Sequence, residues 1–172
     1  MLKGRGDRFR QLLPSANIGA AVRVKDDLMI SICICTYNRS KSLWRTLDSI
    51  AKLNDIKSTA VEILIVDKNC SDGSSNVVEA FREKLPIRRV SESRDGLAYA
   101  RNKAITEFRG DVLLFTDDDV TVAPGWLAAY EHAIRHFPDA DYFGGRILPD
   151  WGGAKPRKAV LKLQRLLRRR GG

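Results

Sequence analysis

Residues 110–119 read GDVLLFTDDD, a short apolar run that is followed, after Thr116, by three aspartates. Its apolar run, residues 112–115, has the length and composition of a strand that is buried on both faces, as parallel strands are. Three comparable apolar runs precede it along the chain, with helical patterns between them. This alternation predicts an α/β fold with a mostly parallel, Rossmann-like sheet and helices on both faces.

The same patterns give the boundaries of the elements. Strands are predicted at five places: Leu28–Cys35, Val61–Val66, Ile87–Val90, Val112–Phe115 and Tyr142–Leu148. Helices are predicted at residues 41–53, 74–84, 96–108 and 124–136. The last of them is expected to begin at Pro124, because proline is favoured in the first turn of a helix.

Length and composition limit the class of protein. The 172 residues suffice for one well-buried domain, and 44% hydrophobic with 30% charged residues is typical of a soluble globular protein. The N-terminal sequence MLKGRGDRFRQLLP lacks the apolar core of a secretory signal, and no apolar stretch approaches the roughly 18 residues of a membrane span. We therefore expect a cytoplasmic protein.

The net charge of +9 belongs to the two ends of the chain. Residues 155–172 hold 8 basic and no acidic residues, whereas residues 26–154 hold 16 basic and 20 acidic residues, a net charge of −4. We divide the chain into a basic arm (1–27), an α/β domain (28–154) and a basic tail (155–172). Because the body is mildly acidic, we expect no nucleic-acid partner.

Polar residues follow three of the predicted strands. Strand one ends in Thr36-Tyr37-Asn38-Arg39, strand two in Asp67-Lys68-Asn69, and the strand at 112–115 in Asp117-Asp118-Asp119. Ligands of open parallel sheets bind beyond the carboxyl ends of the strands, where these clusters must meet. The sequence thus predicts a site on one rim of the sheet.

The triple aspartate is the sharpest feature of this rim. Adjacent carboxylates repel each other, so three in a row after a buried strand indicate a counter-cation. Carboxylate oxygens suit Mg²⁺ or Mn²⁺, with substrate phosphates and water completing the shell. The alternative is an acidic turn whose aspartates cap the next helix.

Two further rim residues have two interpretations each. An exposed Tyr37 beside an acceptor such as Asp67 suits a nucleobase, which would stack on the ring and donate its imide N–H to the carboxylate. Alternatively, Tyr37 packs as an ordinary aromatic and Asp67 caps the following helix. Asp72 is expected to cap the second helix, because Asp-Gly marks a turn.

Cysteine and histidine patterns predict no metal site. Cys33 and Cys35 would face the same side of a strand as small core residues, and Cys70 is too far along the sequence to complete a ligand set at the usual spacing. His132 and His136 share one helix face, but the chain offers no third ligand at a suitable spacing.

Four blocks, in this order and spacing, resemble the family 2 glycosyltransferases: SICICTYNRSKSLWRTLDSI (31–50), VEILIVDKNCSDGSSNVV (61–78), GLAYARNKAI (96–105) and GDVLLFTDDDVTVAPGWL (110–127). The similarity extends from about Met29 to Trp151. It implies a GT-A fold that binds a nucleotide-diphospho-sugar, and an inverting, metal-dependent transfer of the sugar, expected to be UDP-linked, to a saccharide or lipid-linked acceptor. In the cell this would serve the synthesis of a polysaccharide or cell-surface glycan.

The resemblance also assigns residues. Thr36, Tyr37 and Asn38 match the turn that contacts the nucleotide, and Asp67 matches the carboxylate that binds the base. Asp117 and Asp119 match the metal motif for Mn²⁺ or Mg²⁺, and Asp118 matches a position that touches the sugar or shares the metal. Arg101 and Asn102 match a segment whose arginine lies near the donor; alternatively, Arg101 lies on a helix and pairs with a surface acid.

The chain departs from the family pattern after Asp150, where no acidic residue follows. The family's catalytic base belongs to a later, acceptor-binding segment, so we expect this chain to be the N-terminal, donor-binding part, truncated before its base. An alternative is a remnant that binds a nucleotide sugar and transfers nothing.

Two interpretations of the basic tail stay open. Residues 158–170 place five apolar residues in a rough stripe among cations, as in a helix that contacts an anionic membrane surface. Such a helix would place the protein peripherally at the inner face of the cell membrane. Alternatively, the tail is the product of a frameshift or truncation.

Overall fold

The computed structural model describes residues 28–152, which contain four strands and four helices in strict alternation. Their bounds are β1 Ile30–Thr36, α1 Ser40–Ala51, β2 Val61–Asp67, α2 Ser74–Phe81, β3 Ile87–Ser91, α3 Leu97–Glu107, β4 Val112–Thr116 and α4 Trp126–His136. No helix among these residues is both long and apolar enough to cross a bilayer. The predicted basic arm and basic tail lie outside the described residues, as does the predicted domain boundary at residue 154.

The four strands form one sheet in the order β3-β2-β1-β4, and every neighbouring pair is parallel. The chain adds β2 and β3 on one side of β1 and then crosses to place β4 on the other side. Strand order therefore reverses at the β1–β4 pair. At this kind of switch point the loops diverge and leave a crevice at the carboxyl ends of the strands. The predicted parallel α/β fold is confirmed.

Small residues bring α3 close to one face of the sheet. Ala100 and Ala104 of α3 pack against Cys33 of β1 and against Leu64 and Val66 of β2, and all five residues are buried. Methyl groups and a thiol leave little space between helix and sheet, which fixes the start of α3 near the carboxyl ends of the strands.

The opposite face of the sheet is built from isoleucines. Strand residues alternate between faces, and Ile30, Ile32 and Ile34 of β1 are fully buried. Because α3 covers the other face, we assign α1 and α2 to this one. The two helices contact each other through Trp44 and Phe81, whose ring centroids lie 6.0 Å apart.

Helix α1 also fixes the segment that follows β4. The hydroxyl of Thr46 donates to the carbonyl of Val120 at 2.9 Å, and the Val122 N–H donates to Ser49 Oγ at 3.2 Å. These hydrogen bonds hold residues 120–122 against α1. They thereby fix the position of the aspartates that lie directly before.

The predicted strand at Tyr142–Leu148 is wrong. Residues 142–150 adopt no regular secondary structure, and they belong to a second compact unit that begins at Tyr142. Tyr142 and Ile147 are 87% and 89% exposed, so most apolar side chains of this segment are not covered. Two glycines interrupt the apolar run, which weakens any strand.

The remaining boundaries shift by a few residues. All four strands end one residue beyond prediction, at Thr36, Asp67, Ser91 and Thr116, and α4 begins at Trp126 instead of Pro124. Pro124 lies in a turn in which the Trp126 N–H donates to the carbonyl of Ala123. The helix itself ends at His136, as predicted.

Candidate functional site

The carboxyl ends of β1 and β4 form a cleft of about 280 Å³. It lies at the point where strand order reverses, the usual ligand site of such sheets. Its lining is mainly polar and charged: Cys35, Thr36, Tyr37, Arg39, Lys68, Leu97, Asp117, Asp118 and Asp119. Each of the three polar clusters predicted at the strand ends thus contributes at least one residue to this concave surface.

The three aspartates after β4 differ in exposure. Asp118 is only 4% exposed, and its Oδ2 accepts a hydrogen bond of 2.8 Å from the hydroxyl of Thr36. The side chains of Asp117 and Asp119 are 69% and 44% exposed. The middle carboxylate therefore joins the end of β1 to the end of β4, while the outer two are accessible to a ligand.

Arg39 bridges two of these carboxylates. Its Nη1 lies 2.9 Å from Asp118 Oδ1 and 3.0 Å from Asp119 Oδ2, and its side chain is 52% exposed. The negative charges of Asp118 and then Asp119 raise the pKa of the Arg39 guanidinium above its usual value. Arg39 is thus the cation closest to the exposed carboxylate of Asp119.

Tyr37 presents an exposed ring at the edge of the cleft. The residue is 52% exposed, and the ammonium of Lys68 lies 4.7 Å from the ring centroid. The Lys68 side chain is 14% exposed, and its Nζ lies 3.9 Å from Asp95 Oδ1. A cation packed on one face of the ring leaves the other face for a flat, apolar ligand surface.

Asp67 is buried and already hydrogen-bonded. It is 5% exposed, its Oδ1 accepts from the Cys70 N–H at 2.8 Å, and its Oδ2 pairs with Arg89 at 2.9 Å. Arg89 also donates to the hydroxyl of Ser75 at 2.7 Å. An imide N–H that binds Asp67 would therefore share the carboxylate with these two donors.

The loops that follow β1 and β2 are bonded to each other. The Asn38 side-chain oxygen accepts from the Ser71 N–H at 2.8 Å, and the Asn38 N–H donates to Cys70 Sγ at 3.2 Å. Asn38 has a positive φ of 50°, a conformation that asparagine tolerates better than most residues. This loop pair is held by its own side chains and is therefore formed before any ligand binds.

Asp72 caps two helices at once. Its Oδ1 accepts from the hydroxyl and N–H of Ser74 in the first turn of α2, at 2.6 and 3.2 Å. Its Oδ2 accepts from the Ser40 N–H at the start of α1, at 2.7 Å. The hydrogen bonds from Ser74 and then from Ser40 lower the pKa of Asp72 to about 2. The predicted cap of the second helix is confirmed, and the cap of the first is an addition.

Arg101 and Asn102 lie on α3, and both are exposed. Arg101 Nη2 lies 3.9 Å from Asp117 Oδ1, a long ion pair between two exposed side chains. The contact places a second guanidinium beside the aspartates.

The three cysteines are free thiols. Cys33 is buried in the core beneath α3, and Cys35, two residues further along β1, is half-buried and lines the cleft. The prediction that they share one face of the strand is confirmed. The Cys33 thiol and the nearby Arg101 lower the pKa of Cys35.

The residues of the cleft fit a divalent ion whose remaining ligands are substrate phosphates and water. Asp117 and Asp119 supply two exposed carboxylates, and Mg²⁺ or Mn²⁺ is commonly held by one or two carboxylates together with substrate phosphates. Within residues 28–152, no group of three or more His, Cys, Asp or Glu side chains is arranged to hold a metal alone. His132 and His136 stack on each other at 3.7 Å on the exposed side of α4.

The structure thus brings together some of the predicted residues and adds others. Five of them line the cleft: Thr36, Tyr37, Asp117, Asp118 and Asp119. Four others do not form part of that lining: Asn38, Asp67, Arg101 and Asn102. No role was predicted for Arg39 or Lys68 from the sequence. A signal was present, because each lies in a polar cluster at a strand end, beside residues for which a role was predicted.

Comparison with known proteins gives consistent matches. A family model described as glycosyl transferase family 2 matches residues 31–171. The chain is 33% identical over 134 residues to the succinoglycan biosynthesis protein ExoM of Rhizobium meliloti (strain 1021), covering 77% of this chain and 43% of ExoM.

Two solved structures match the fold. The crystal structure of S. aureus TarS 1–349 in complex with UDP-GlcNAc has a TM-score of 0.60 and 25% identity, covering 72% of this chain and 37% of that one. The mannosyltransferase PcManGT from Pyrobaculum calidifontis, in complex with GDP-Man and Mn²⁺, has a TM-score of 0.56 and 26% identity, covering 61% and 32%. This chain spans less than half the length of these relatives.

Proposed function

This chain belongs to glycosyltransferase family 2, and we propose that it forms the donor-binding part of an enzyme that transfers a sugar from a UDP-sugar. The fold is the GT-A fold of the solved transferases. The observation that carries the proposal is the cleft, where an exposed Tyr37 ring and the exposed carboxylates of Asp117 and Asp119 face one cavity.

The nucleoside is assigned to the Tyr37 side of the cleft. Stacking on an aromatic ring stabilises a base by about 1–3 kcal/mol, and the cation of Lys68 already covers part of the ring. The preformed loop pair at Asn38 and Ser71 supports this end of the site. TarS, which has the same fold, was solved with UDP-GlcNAc, and that supports a uridine nucleotide here.

The diphosphate is assigned to the aspartate side. Three carboxylates and two cations line the cleft, so the lining residues alone carry an excess negative charge that would repel a diphosphate. Asp117 and Asp119 would hold a divalent ion, Mn²⁺ or Mg²⁺, which neutralises charge on the departing diphosphate. The Mn²⁺ in the PcManGT complex supports this choice of ion.

The proposed reaction inverts the anomeric centre. The hydroxyl of the acceptor attacks the anomeric carbon as the bond to the diphosphate breaks, and a base takes the hydroxyl proton. Described residues of this chain bind and orient the donor: Asp118 and Thr36 hold the rim, and Arg101 adds positive charge beside Asp117. We assign the base to none of them.

The acceptor is proposed to be a saccharide or a lipid-linked saccharide, in the synthesis of a polysaccharide or cell-surface glycan. The relationship to a succinoglycan biosynthesis protein supports this class. A lipid-linked acceptor would place the enzyme in the cytoplasm, peripherally at the inner face of the membrane.

Calorimetry of UDP binding in the presence and absence of Mn²⁺ tests the proposal. We expect Mn²⁺ to increase the affinity for UDP, and we expect the substitution Asp119→Ala to abolish that increase. Tyr37→Ala should weaken UDP binding about tenfold with and without Mn²⁺, because a stacking contact is lost. Asp139→Ala, an exposed residue outside the cleft, is the matched control. Undiminished Mn²⁺-dependent binding by the Asp119→Ala variant would overturn the assignment.

A further inference from the structure

One nitrogen of Arg39 contacts two carboxylates of the aspartate rim. Nη1 lies 2.9 Å from Asp118 Oδ1 and 3.0 Å from Asp119 Oδ2. A divalent ion held by Asp119 would need the same carboxylate that this guanidinium occupies. The Arg39 guanidinium and the divalent ion would therefore both need the carboxylate of Asp119.

The two contacts of Arg39 differ in kind. The Asp118 side chain is 6% exposed and also accepts from Thr36, so its pairing with Arg39 belongs to a buried, hydrogen-bonded cluster. The Asp119 side chain is 44% exposed, and an ion pair at such a site is screened by water and weak. The Asp119 contact is thus the one that a ligand can displace at small cost.

The other cations near the cleft do not occupy Asp119. Lys68 lies over Tyr37 and is paired at long range with Asp95, and Arg101 is 3.9 Å from Asp117. Since the Arg39 side chain is 52% exposed, a phosphate in the cleft could reach the guanidinium and accept hydrogen bonds from it.

We propose that the guanidinium of Arg39 competes with the divalent ion for the carboxylate of Asp119 and so lowers the affinity of the cleft for metal alone. The proposal rests on the function proposed above. A diphosphate gives Arg39 an alternative acceptor, and metal and nucleotide then bind together more readily than metal alone. Arg39 is in this account a positioning residue for the metal motif.

Binding of Mn²⁺ alone to the full chain tests the competition. Free Mn²⁺ is measured by its electron paramagnetic resonance signal, which the bound ion loses. We expect Arg39→Gln to bind Mn²⁺ about fivefold more tightly than the unaltered protein, the change that corresponds to a weak exposed ion pair of about 1 kcal/mol. Arg45→Gln removes the same charge from an exposed position on α1, which begins one residue after Arg39, and should leave the Mn²⁺ affinity unchanged.

A further substitution locates the effect. If the gain arises at Asp119, the double variant Arg39→Gln, Asp119→Ala must lose it. Equal Mn²⁺ affinity of Arg39→Gln and Arg45→Gln, or a gain that survives Asp119→Ala, would overturn the proposal.

A second variant keeps the test valid if Arg39→Gln alone destabilises the protein. Arg39→Gln leaves the buried Asp118 with Thr36 as its remaining side-chain partner, so the double variant Arg39→Gln, Asp118→Asn removes both charges and keeps Asp117 and Asp119. Relative to Asp118→Asn alone, it is expected to show the same fivefold gain, and no gain over that single variant would count against the competition.

The calorimetry of UDP binding distinguishes a failure of this proposal from a failure of the proposed donor-binding function. If the unaltered protein binds UDP with Mn²⁺ while Arg39→Gln leaves the Mn²⁺ affinity unchanged, Arg39 has no such role and the donor site stands. If Arg39→Gln tightens Mn²⁺ through Asp119 and no variant binds UDP, the competition stands and the donor assignment fails.

Discussion

Two clusters at opposite ends of the sheet are built from the same parts. Each contains a buried carboxylate, a hydroxyl from β1 and an arginine: Glu62 with Ser31 and Arg88 at the amino ends of the strands, and Asp118 with Thr36 and Arg39 at the carboxyl ends. The central carboxylate is buried in both clusters, but the second is flanked by two exposed carboxylates that line the cleft.

The amino-end cluster saturates its carboxylate. Glu62 accepts from the Ser31 hydroxyl and the Arg109 N–H, both at 2.6 Å, and from Arg88 at 3.2 Å. Burial opposes its ionisation, but these hydrogen bonds outweigh it and lower the pKa of Glu62. Gly110 donates to Ser31 Oγ where a Cβ would collide with backbone atoms, so the packing is closed.

The carboxyl-end cluster leaves capacity for a ligand. Asp118 is satisfied as Glu62 is, but Asp117 and Asp119 remain 69% and 44% exposed beside it. A buried carboxylate that is fully hydrogen-bonded has no capacity for a ligand, whereas exposed carboxylates on a concave surface indicate a binding site.

Breaking the amino-end cluster should have the largest effect on stability. Glu62→Ala leaves a hydroxyl and an N–H without their acceptor and removes one of the two carboxylates that pair with Arg88, which keeps Glu107. Removing one partner of a buried pair costs about 3–5 kcal/mol. We expect a loss of this size in the free energy of unfolding, measured by urea denaturation.

The same variant should bind UDP with Mn²⁺ as tightly as the unaltered protein, because Glu62 lies at the other end of the strands. A loss of less than about 1 kcal/mol in Glu62→Ala, below the cost of one unsatisfied buried group, would show that the cluster does not stabilise the fold.

Substitutions within the aspartate triplet should have smaller effects on stability, and these should differ between the buried and the exposed positions. Asp118→Ala leaves the buried Thr36 hydroxyl unsatisfied and should lower the free energy of unfolding by about 2 kcal/mol. Asp117→Ala removes an exposed side chain and should change it by less than about 0.5 kcal/mol. Equal unfolding midpoints for the two variants, after urea titration, would mean that the middle aspartate has no special structural role.

Sequence patterns predicted the fold and the rim of the site. The apolar runs at 61–66 and 112–115 identified β2 and β4, because parallel strands that are buried on both faces consist almost entirely of apolar residues. The rim followed from topology, since polar residues after parallel strands must meet at one edge.

The sequence could not predict which of the three adjacent aspartates is buried and which are exposed. Asp117, Asp118 and Asp119 are identical in sequence terms, and the burial of the middle one depends on Thr36 and Arg39, about 80 residues earlier. The second cap made by Asp72 likewise depends on a contact with Ser40, 32 residues away.

The strand predicted at Tyr142–Leu148 failed for a related reason. An apolar run indicates burial only if another element covers it, and a local pattern cannot show whether one does. Ile147 is 89% exposed in the described structure.

The proposal that the cleft binds a divalent ion together with a nucleotide is tested most directly by locating the bound metal in the presence of UDP. In an amide ¹H–¹⁵N spectrum of the protein with UDP and Mg²⁺, traces of Mn²⁺ broaden the signals of nearby residues. We predict broadening centred on residues 117–119 and extending to Thr36 and Arg39. Broadening centred on His132 and His136, or none in the presence of saturating UDP, would contradict the account.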